Sequence, residues 1–211
     1  MLDFDGVIVE SVGIKDRAFR ELYKSYPDNL DEIMAYHLAN NATIRFEKFK
    51  HISQNILKTP YTPDEEERLS SLFSDLVFRE IVSCPFVRGA IGFLDYYFDR
   101  LPLYLISMSP EDELQRILHE RGLAHYFVDV YAAGWKKKDA IRTILEQEKV
   151  NSAHSVFIGD SYEDFQAAKS AQVHFIGRNS GKSFMNANIA VGQDMTDVGE
   201  LLSGSDFRVI K

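Results

Sequence analysis

The sequence predicts an α/β protein whose parallel sheet is interrupted by a long helical insertion. Two observations support this prediction: short apolar runs alternate with amphipathic segments from residue 85 onward, and residues 14–82 show helical spacing almost throughout. Short apolar strands that alternate with helices form parallel sheets covered by helices on both faces. The helical stretch after the first strand is therefore interpreted as an insertion rather than as a crossover between strands.

The first predicted strand carries two acidic residues among apolar ones. Leu2 and Phe4 alternate with Asp3 and Asp5, and the apolar run 7–9 follows, a pattern that predicts a strand running into a loop. Acidic residues are depleted in strands, and a carboxylate buried without a partner costs free energy. We expect the two acids either to form a solvated turn or to meet a cation where the strand ends.

The helical insertion shows apolar residues at helical spacing. They are Ala18, Phe19, Leu22 and Tyr23, then Phe46, Phe49, Ile52, Ile56 and Leu57, and finally Leu69, Leu72, Phe73, Leu76 and Val77. Thr62, Pro63 and the acids 64–66 predict the start of the last helix of this segment. A capping residue, a proline at the first helical position and acids in the first turn all favour a helix start.

The remaining chain alternates between strands and helices. Strands are predicted at 103–106, 128–131, 156–158 and 173–176, and helices at 89–98, 109–119, 139–148 and 163–170. Ligands of such sheets bind beyond the carboxyl ends of the strands. The polar residues at these ends are Asp3, Asp5, Ser107, Asp160 and Asp164, and the lysines 136–138 precede a helix in the same half. We expect these residues to meet at one edge of the sheet, where the acids share a metal ion.

Composition narrows the class of protein. The 211 residues can bury a full core, and 45% hydrophobic with 27% charged residues is typical of globular proteins. The net charge of −8 argues against nucleic acid as a partner. No apolar run is long enough to span a bilayer and no signal peptide is visible, so no membrane partner is expected.

The single cysteine, Cys84, fits a reducing compartment, which predicts a cytoplasmic location. Without a heptad seam, we expect a monomer or a weak dimer.

The expected cluster has the chemistry of phosphoryl transfer. Clustered carboxylates without histidine or cysteine are hard oxygen ligands, which suit Mg²⁺ rather than zinc. A lysine and a hydroxyl opposite the metal can hold phosphate oxygens, and a free carboxylate can attack phosphorus to form an aspartyl-phosphate. A second acid can protonate the leaving alcohol and then activate water.

Four segments resemble the motifs of the haloacid dehalogenase (HAD) superfamily in the order found in that family. They read DFDGV, LISMS, GWKKKDAI and GDSYED. The helical insertion resembles the cap of the phosphoglycolate-phosphatase-like and β-phosphoglucomutase-like members. The resemblance implies a Rossmann-like core formed by residues 1–13 and 84–211, with an inserted helical cap at 14–83.

The resemblance also implies a role for each motif residue. Asp3 would be the nucleophile and a metal ligand, and Asp5 the general acid/base whose backbone carbonyl also binds Mg²⁺. Ser107, helped by the amide of Met108, would bind the transferring phosphoryl group. Asp160 would ligate the metal, and Asp164 would do so directly or through water, since both belong to the last motif.

The phosphate-binding lysine is ambiguous among three neighbours. The spacing found in the family, measured to Ile141 and Ile144 on the apolar face of the next helix, favours Lys137 over Lys136 and Lys138.

In the cap, three residues are candidate contacts for the leaving group of the substrate. Arg45 is the first candidate for binding substrate, and His37 and Lys48 are further ones. A solvated helix surface is the competing interpretation for each of them.

The function predicted from these motifs is a Mg²⁺-dependent phosphatase acting on a small phosphorylated metabolite through an aspartyl-phosphate on Asp3. Family members that dehalogenate lack an acid at the position of Asp5, so Asp5 together with Asp160 points to phosphoryl transfer. A phosphomutase acting on a sugar phosphate uses the same residues and stays an alternative. A non-catalytic binding protein on the same scaffold is the third, less favoured interpretation.

Two features depart from the family pattern. Members usually carry several apolar residues before the first aspartate, whereas only Met1 and Leu2 precede Asp3, so we expect a misassigned or trimmed start. Glu10 stands where many relatives have aspartate before the following serine, and the sequence does not indicate what this change does.

Overall fold

The chain folds into two compact units. The computed structural model describes residues 1–40, 43–184 and 187–204. One unit, the α/β unit, consists of Met1–Val12 together with the chain from Cys84 onward, and the other, the helical unit, is Gly13–Ser83. Among the described residues, no helix combines the length and the apolar character needed to cross a membrane.

The helical unit contains the helices predicted from apolar spacing. They are α1 Ile14–Leu22, α2 Leu30–Ala39, α3 Arg45–His51 and α4 Pro63–Ser83, and a π-helical turn, Ile52–Ile56, continues α3. The hydroxyl of Thr62 accepts a hydrogen bond from the amide of Glu65 at 3.3 Å, so the predicted start of α4 is confirmed. The buried rings of Phe19, Phe49 and Phe73 pack together at the centre of this unit.

The α/β unit is built on a parallel sheet, which confirms the predicted fold class. Its strands are β1 Tyr104–Ile106, β2 Asp129–Tyr131, β3 Val156–Gly159, β4 His174–Arg178 and β5 Ala190–Gly192. Strand β1 pairs with β2, and β4 lies between β3 and β5. Leu2 pairs in parallel with both Leu105 and Ile158, so the first segment of the chain joins the two sets of strands at the centre of the sheet.

The first strand is shorter than the sequence pattern suggests. Leu2 is the residue that pairs with both neighbouring strands, and after Asp3 the chain enters a turn. The apolar run 7–9 is fully buried, but Val7 and Ile8 lie in this turn and Val9 forms isolated bridges with Asp5 and Phe86. The turn is held because the amides of Val7 and Ile8 both donate to the carbonyl of Phe4. Buried apolar side chains therefore mark a packed turn here, which the pattern of hydrophobicity cannot distinguish from a strand.

Among the described helices of the α/β unit, the first four follow the predicted alternation and the last was not predicted. They are α5 Ala90–Tyr97, α6 Glu111–Glu120, α7 Lys137–Glu148, α8 Tyr162–Ala171 and α9 Met195–Gly204. On α7, Ile141 and Ile144 are buried in the same cluster as Tyr104 and Phe157 of the sheet. Full burial of such a side chain contributes about 1.5–3 kcal/mol, so these contacts fix the rotation of α7 and the direction of its first residue, Lys137.

Candidate active site

Asp3 lies at the carboxyl-terminal edge of the sheet. Its amide donates to the carbonyl of Ile158 at 2.9 Å, which continues the pairing of the first segment with β3. One carboxylate oxygen of Asp3, Oδ1, accepts a hydrogen bond from the amide of Phe4 at 2.8 Å. The residue is only 5% exposed, so its carboxylate is held in a fixed direction and largely shielded from water.

The turn after Asp3 passes unusually close to Asp160. Gly6 has φ of +73°, and a Cβ atom placed on it would lie 2.1 Å from Oδ2 of Asp160. No side chain fits there, and L-residues rarely adopt this φ. This approach was not predicted, because a contact between two distant segments leaves no local pattern in the sequence.

Asp164 is oriented by the start of α8. The amide of Asp164 donates to the hydroxyl of Ser161 at 3.2 Å, and the amide of Ser161 donates to Oδ2 of Asp164 at 3.1 Å, which together form a capping box. A Cβ on Gly159 would lie 2.4 Å from the Cβ of Asp164, so the end of β3 also needs glycine. Asp164 is fully buried as a result.

Three carboxylates converge in this space. One oxygen from each of Asp3, Asp160 and Asp164 lies within 4.8 Å of the other two, and all three residues are buried. Burial raises the pKa of Asp3 to about 7, against the lowering effect of the Lys137 ammonium. Burial raises the pKa of Asp160 as well. Additional positive charge would therefore stabilise the ionised carboxylates of the cluster.

Lys137 supplies part of that charge. Its Nζ lies 2.9 Å from Oδ2 of Asp3 and 2.6 Å from Oδ1 of Asp164, and the side chain is 13% exposed. Burial by itself would lower the pKa of Lys137, but the carboxylates of Asp3 and Asp164 raise it above its ordinary value. Lys136 and Lys138 are exposed. Of the three lysines, Lys137 is thus the one that contacts the acidic cluster, and its role as the phosphate ligand stays a prediction.

Ser107 lies at the end of β1, beside the first segment. The amide of Ile106 donates to the carbonyl of Leu2 at 2.9 Å, and the amide of Ser107 donates to the carbonyl of Tyr131 at 2.8 Å. The Ser107 hydroxyl is buried and accepts a hydrogen bond from the amide of Ser109 at 3.2 Å. Met108 is 54% exposed. Both predicted phosphoryl-binding residues therefore occupy the expected sheet edge.

Asp5 is not one of the three carboxylates that form the cluster among the described residues. It is half-buried, and its Oδ1 accepts a hydrogen bond from the hydroxyl of Ser11. Its role as the general acid/base stays a prediction. Its predicted contribution to metal binding, through the backbone carbonyl, is left as a prediction.

The cap candidates make contacts inside the helical unit. Arg45 donates to the hydroxyl of Ser74 at 3.0 Å, and its guanidinium lies 5.7 Å from the ring centroid of Phe73. Lys48 is buried beside His37, with Nζ 3.4 Å from Nδ1 of the imidazole. Burial lowers the pKa of both His37 and Lys48. The predicted contact of Arg45 with substrate is untested by this arrangement.

Two basic residues that contact the site, both after the last predicted strand, were not predicted from the sequence. Arg178 donates to the carbonyl of Gly6 at 3.1 Å and forms an ion pair with Glu10, which gives the unusual Glu10 a structural partner. Lys182 contacts the carboxylate of Asp160. Neither residue belongs to a periodic pattern, and only the order of the strands brings them to the first turn.

The cluster suits a hard divalent cation. Its three donors are all carboxylates, and they are buried close together at one edge of the sheet. Mg²⁺ prefers oxygen ligands and is usually bound by a few carboxylates together with water and phosphate. The residues present therefore fit Mg²⁺.

The chain is similar to proteins of one hydrolase family. The sequence profile of the haloacid dehalogenase-like hydrolases matches residues 1–178. The chain is 25% identical to a phosphoglycolate phosphatase of Vibrio cholerae over 216 residues, which cover 95% of this chain and 93% of that protein.

Two solved structures share the fold. The HAD hydrolase YfnB from Bacillus subtilis, solved bound to magnesium, has a TM-score of 0.72 and 15% identity, with 96% of each chain covered. A structure from Thermotoga maritima described as a beta-phosphoglucomutase has a TM-score of 0.71 and 18% identity, covering 96% of this chain and 97% of that one. At these identities the likeness concerns the fold.

Proposed function

Because the chain belongs to the haloacid dehalogenase-like hydrolase family and is an enzyme of its phosphatase type, we propose that it is a Mg²⁺-dependent phosphatase using an aspartyl-phosphate on Asp3. One observation carries the proposal: Asp3, Asp160 and Asp164 share a buried site, and Lys137 bridges two of them. A nucleophilic carboxylate, metal ligands and a phosphate-binding cation are the parts that this reaction needs.

Mg²⁺ would be held by Asp3, Asp160 and Asp164, with the backbone carbonyl of Asp5. When bound, it supplies positive charge that lets an anionic nucleophile approach an anionic phosphate ester. The cluster is deficient in positive charge without it, since burial raises the pKa of Asp3 to about 7.

In the first step, a carboxylate oxygen of Asp3 forms a bond to phosphorus while the bond to the leaving alcohol breaks. The backbone amide of Phe4 donates to Oδ1 of Asp3 at 2.8 Å and so holds the orientation of the carboxylate. Lys137 and Ser107 bind the phosphoryl oxygens, and Asp5 donates a proton to the leaving oxygen. The alcohol then departs, leaving Asp3 phosphorylated.

In the second step, Asp5 takes a proton from a water molecule. This water attacks phosphorus, the bond to Asp3 breaks, and inorganic phosphate and a free carboxylate are released. Asp5 suits both directions of proton transfer because it is half-buried, and the Ser11 hydroxyl fixes its orientation.

The substrate we propose is a small phosphate monoester. Phosphoglycolate is the first compound to test, since the Vibrio cholerae relative carries the name phosphoglycolate phosphatase. We further propose that the helical unit acts as the cap that selects the leaving group, with Arg45 as its contact. The division into a core at 1–13 and 84–211 and a cap at 14–83 is part of this proposal, as are a cytoplasmic location and a monomeric or weakly dimeric state.

A phosphomutase is the second candidate. It uses the same catalytic residues, and the chain shares its fold with the Thermotoga maritima structure described as a beta-phosphoglucomutase. A mutase returns the phosphoryl group to a sugar instead of to water. It would interconvert sugar-phosphate isomers with little release of inorganic phosphate.

A panel of phosphorylated metabolites tests the proposal. Purified protein is assayed for phosphate release with Mg²⁺ and with EDTA, alongside Asp3→Asn and a matched control, Asp75→Asn, on the exposed surface of α4. We expect Mg²⁺-dependent release that Asp3→Asn abolishes and Asp75→Asn retains. Isomer interconversion without release would favour the mutase, and full activity of Asp3→Asn would refute the mechanism.

A further inference from the structure

The segment 178–182, which begins at the last residue of β4, is anchored against the first turn and the metal site. The guanidinium of Arg178 is nine-tenths buried, donates to the carbonyl of Gly6 at 3.1 Å and pairs with Glu10. The hydroxyl of Ser180 donates to the backbone carbonyl of Asp160 at 3.4 Å. These contacts fix where the next side chains of the segment can reach.

Lys182 extends from this anchored segment to the carboxylate of Asp160. Its Nζ lies 2.8 Å from Oδ2 and donates to Oδ1 at 3.0 Å, although its side chain is 43% exposed. Asp160 itself is 1% exposed. The arrangement places the ammonium against the buried carboxylate while the aliphatic stem stays at the surface.

Lys137 and Lys182 contact different carboxylates of the acidic cluster. Lys137 contacts Asp3 and Asp164, and Lys182 contacts Asp160. Lys137 also has an expected role with phosphate, whereas the contacts of Lys182 given by the structure are with a single carboxylate. A buried carboxylate left without a cation is costly, so the pair formed by Lys182 and Asp160 has a clear reason to form when no metal is bound.

We propose that Lys182 is an internal counterion that competes with Mg²⁺ for Asp160 and so sets the metal affinity of the site. Metal binding must break or weaken this ion pair, and the free energy of that loss is subtracted from the free energy of binding. The ion pair thereby stabilises the metal-free fold and lowers the affinity of the site for Mg²⁺. This inference rests on the proposed function only in taking Asp160 as a metal ligand.

Metal binding tests the competition without any turnover. Isothermal titration calorimetry with MgCl₂ compares wild type, Lys182→Met and Lys182→Arg with a control, Lys169→Met, which removes the same charge at an exposed position of α8. We expect Lys182→Met to bind Mg²⁺ about tenfold more tightly, which corresponds to the weaker end of charged hydrogen bonds. Lys182→Arg and Lys169→Met should bind as wild type does.

A double-mutant cycle in EDTA tests the ion pair itself. Thermal unfolding is measured for Lys182→Met, Asp160→Asn and the double variant. We expect the Lys182 substitution to lower the melting temperature when Asp160 is present and to have little effect in Asp160→Asn. Excess Mg²⁺ should remove the penalty of Lys182→Met, because the metal then neutralises Asp160.

The outcomes separate this inference from the proposed function. Unchanged or weaker Mg²⁺ binding by Lys182→Met, or additive substitutions in the cycle, would overturn the role of Lys182 while leaving the phosphatase intact. Absence of Mg²⁺ binding in both wild type and Lys182→Met would overturn both proposals.

Discussion

The close approach of Gly6 to Asp160 predicts that Gly6→Ala damages both stability and metal binding. A Cβ at position 6 would lie 2.1 Å from Oδ2 and 2.8 Å from Cγ of Asp160. The carboxylate cannot stay where it is, because these distances are far below van der Waals contact. Moving it disturbs a buried group that we propose as a metal ligand.

The loss of stability expected for Gly6→Ala is the sum of two separate free-energy costs. The φ of +73° at Gly6 costs an L-residue about 1–2 kcal/mol. Insertion of a methyl group into a packed site costs typically about 1–3 kcal/mol more. We therefore expect the free energy of unfolding to fall by about 2–5 kcal/mol.

Gly122 is the matched control for the first cost. Its φ is +66°, close to that of Gly6, and no atom lies within 4 Å of a Cβ placed on it. Both glycines belong to the α/β unit. Gly122→Ala should therefore lose only the backbone term of about 1–2 kcal/mol and should bind Mg²⁺ as wild type does.

Urea unfolding followed by circular dichroism, with calorimetric titration of Mg²⁺, measures both effects. We expect Gly6→Ala to unfold at lower urea than Gly122→Ala and to bind Mg²⁺ at least tenfold more weakly, a change of about 1.4 kcal/mol. Equal stability of the two variants, together with unchanged Mg²⁺ affinity in Gly6→Ala, would refute the argument from close approach.

Three further predictions concern the residues around the cluster. Lys137→Met should lower the free energy of unfolding by about 3–5 kcal/mol in EDTA, because it leaves two buried carboxylates without their ammonium. The control Lys138→Met, at an exposed position, should change the free energy of unfolding little. Equal denaturation midpoints for the two variants would contradict this prediction. Ser161→Ala should cost about 1 kcal/mol through loss of the cap that orients Asp164, measured by thermal unfolding, and an unchanged melting temperature would count against the capping box. Because burial raises the pKa of Asp3 from 3.8 to about 7, the metal-free fold favours the protonated acid, so stability in EDTA should fall as pH rises from about 4 to 7. Asp3→Asn should show a flatter pH dependence over that window, and parallel stability curves for the two proteins would contradict the assignment.

The part of the site that could be predicted follows from sheet topology and from the resemblance of the motifs. Parallel strands end at one edge, so acids that follow different strands meet there, as Asp3 and Asp160 do. Lys137 was favoured over its neighbours by the spacing found in the family, measured to Ile141 and Ile144, and both isoleucines are buried on α7. The first inference uses a regularity of parallel sheets, and the second uses the resemblance to the family.

The part that could not be predicted depends on distances between segments far apart in the chain. Gly6 needs to be glycine because of Asp160, and Arg178 reaches Gly6 only because of the order of the strands. The short strand β5 also lacked a signal, since its residues 190–192 contain a glycine and are mostly exposed. No propensity or periodicity records such contacts.

The most direct test of the account is to look for the phosphoryl group on Asp3. Protein mixed with Mg²⁺ and its phosphate ester is quenched in acid within the first turnover and digested, and the peptides are analysed by mass spectrometry. The proposed mechanism predicts a phosphorylated N-terminal peptide modified at Asp3, absent in EDTA and in Asp3→Asn. Turnover without any such adduct, or an adduct on another residue, would contradict it.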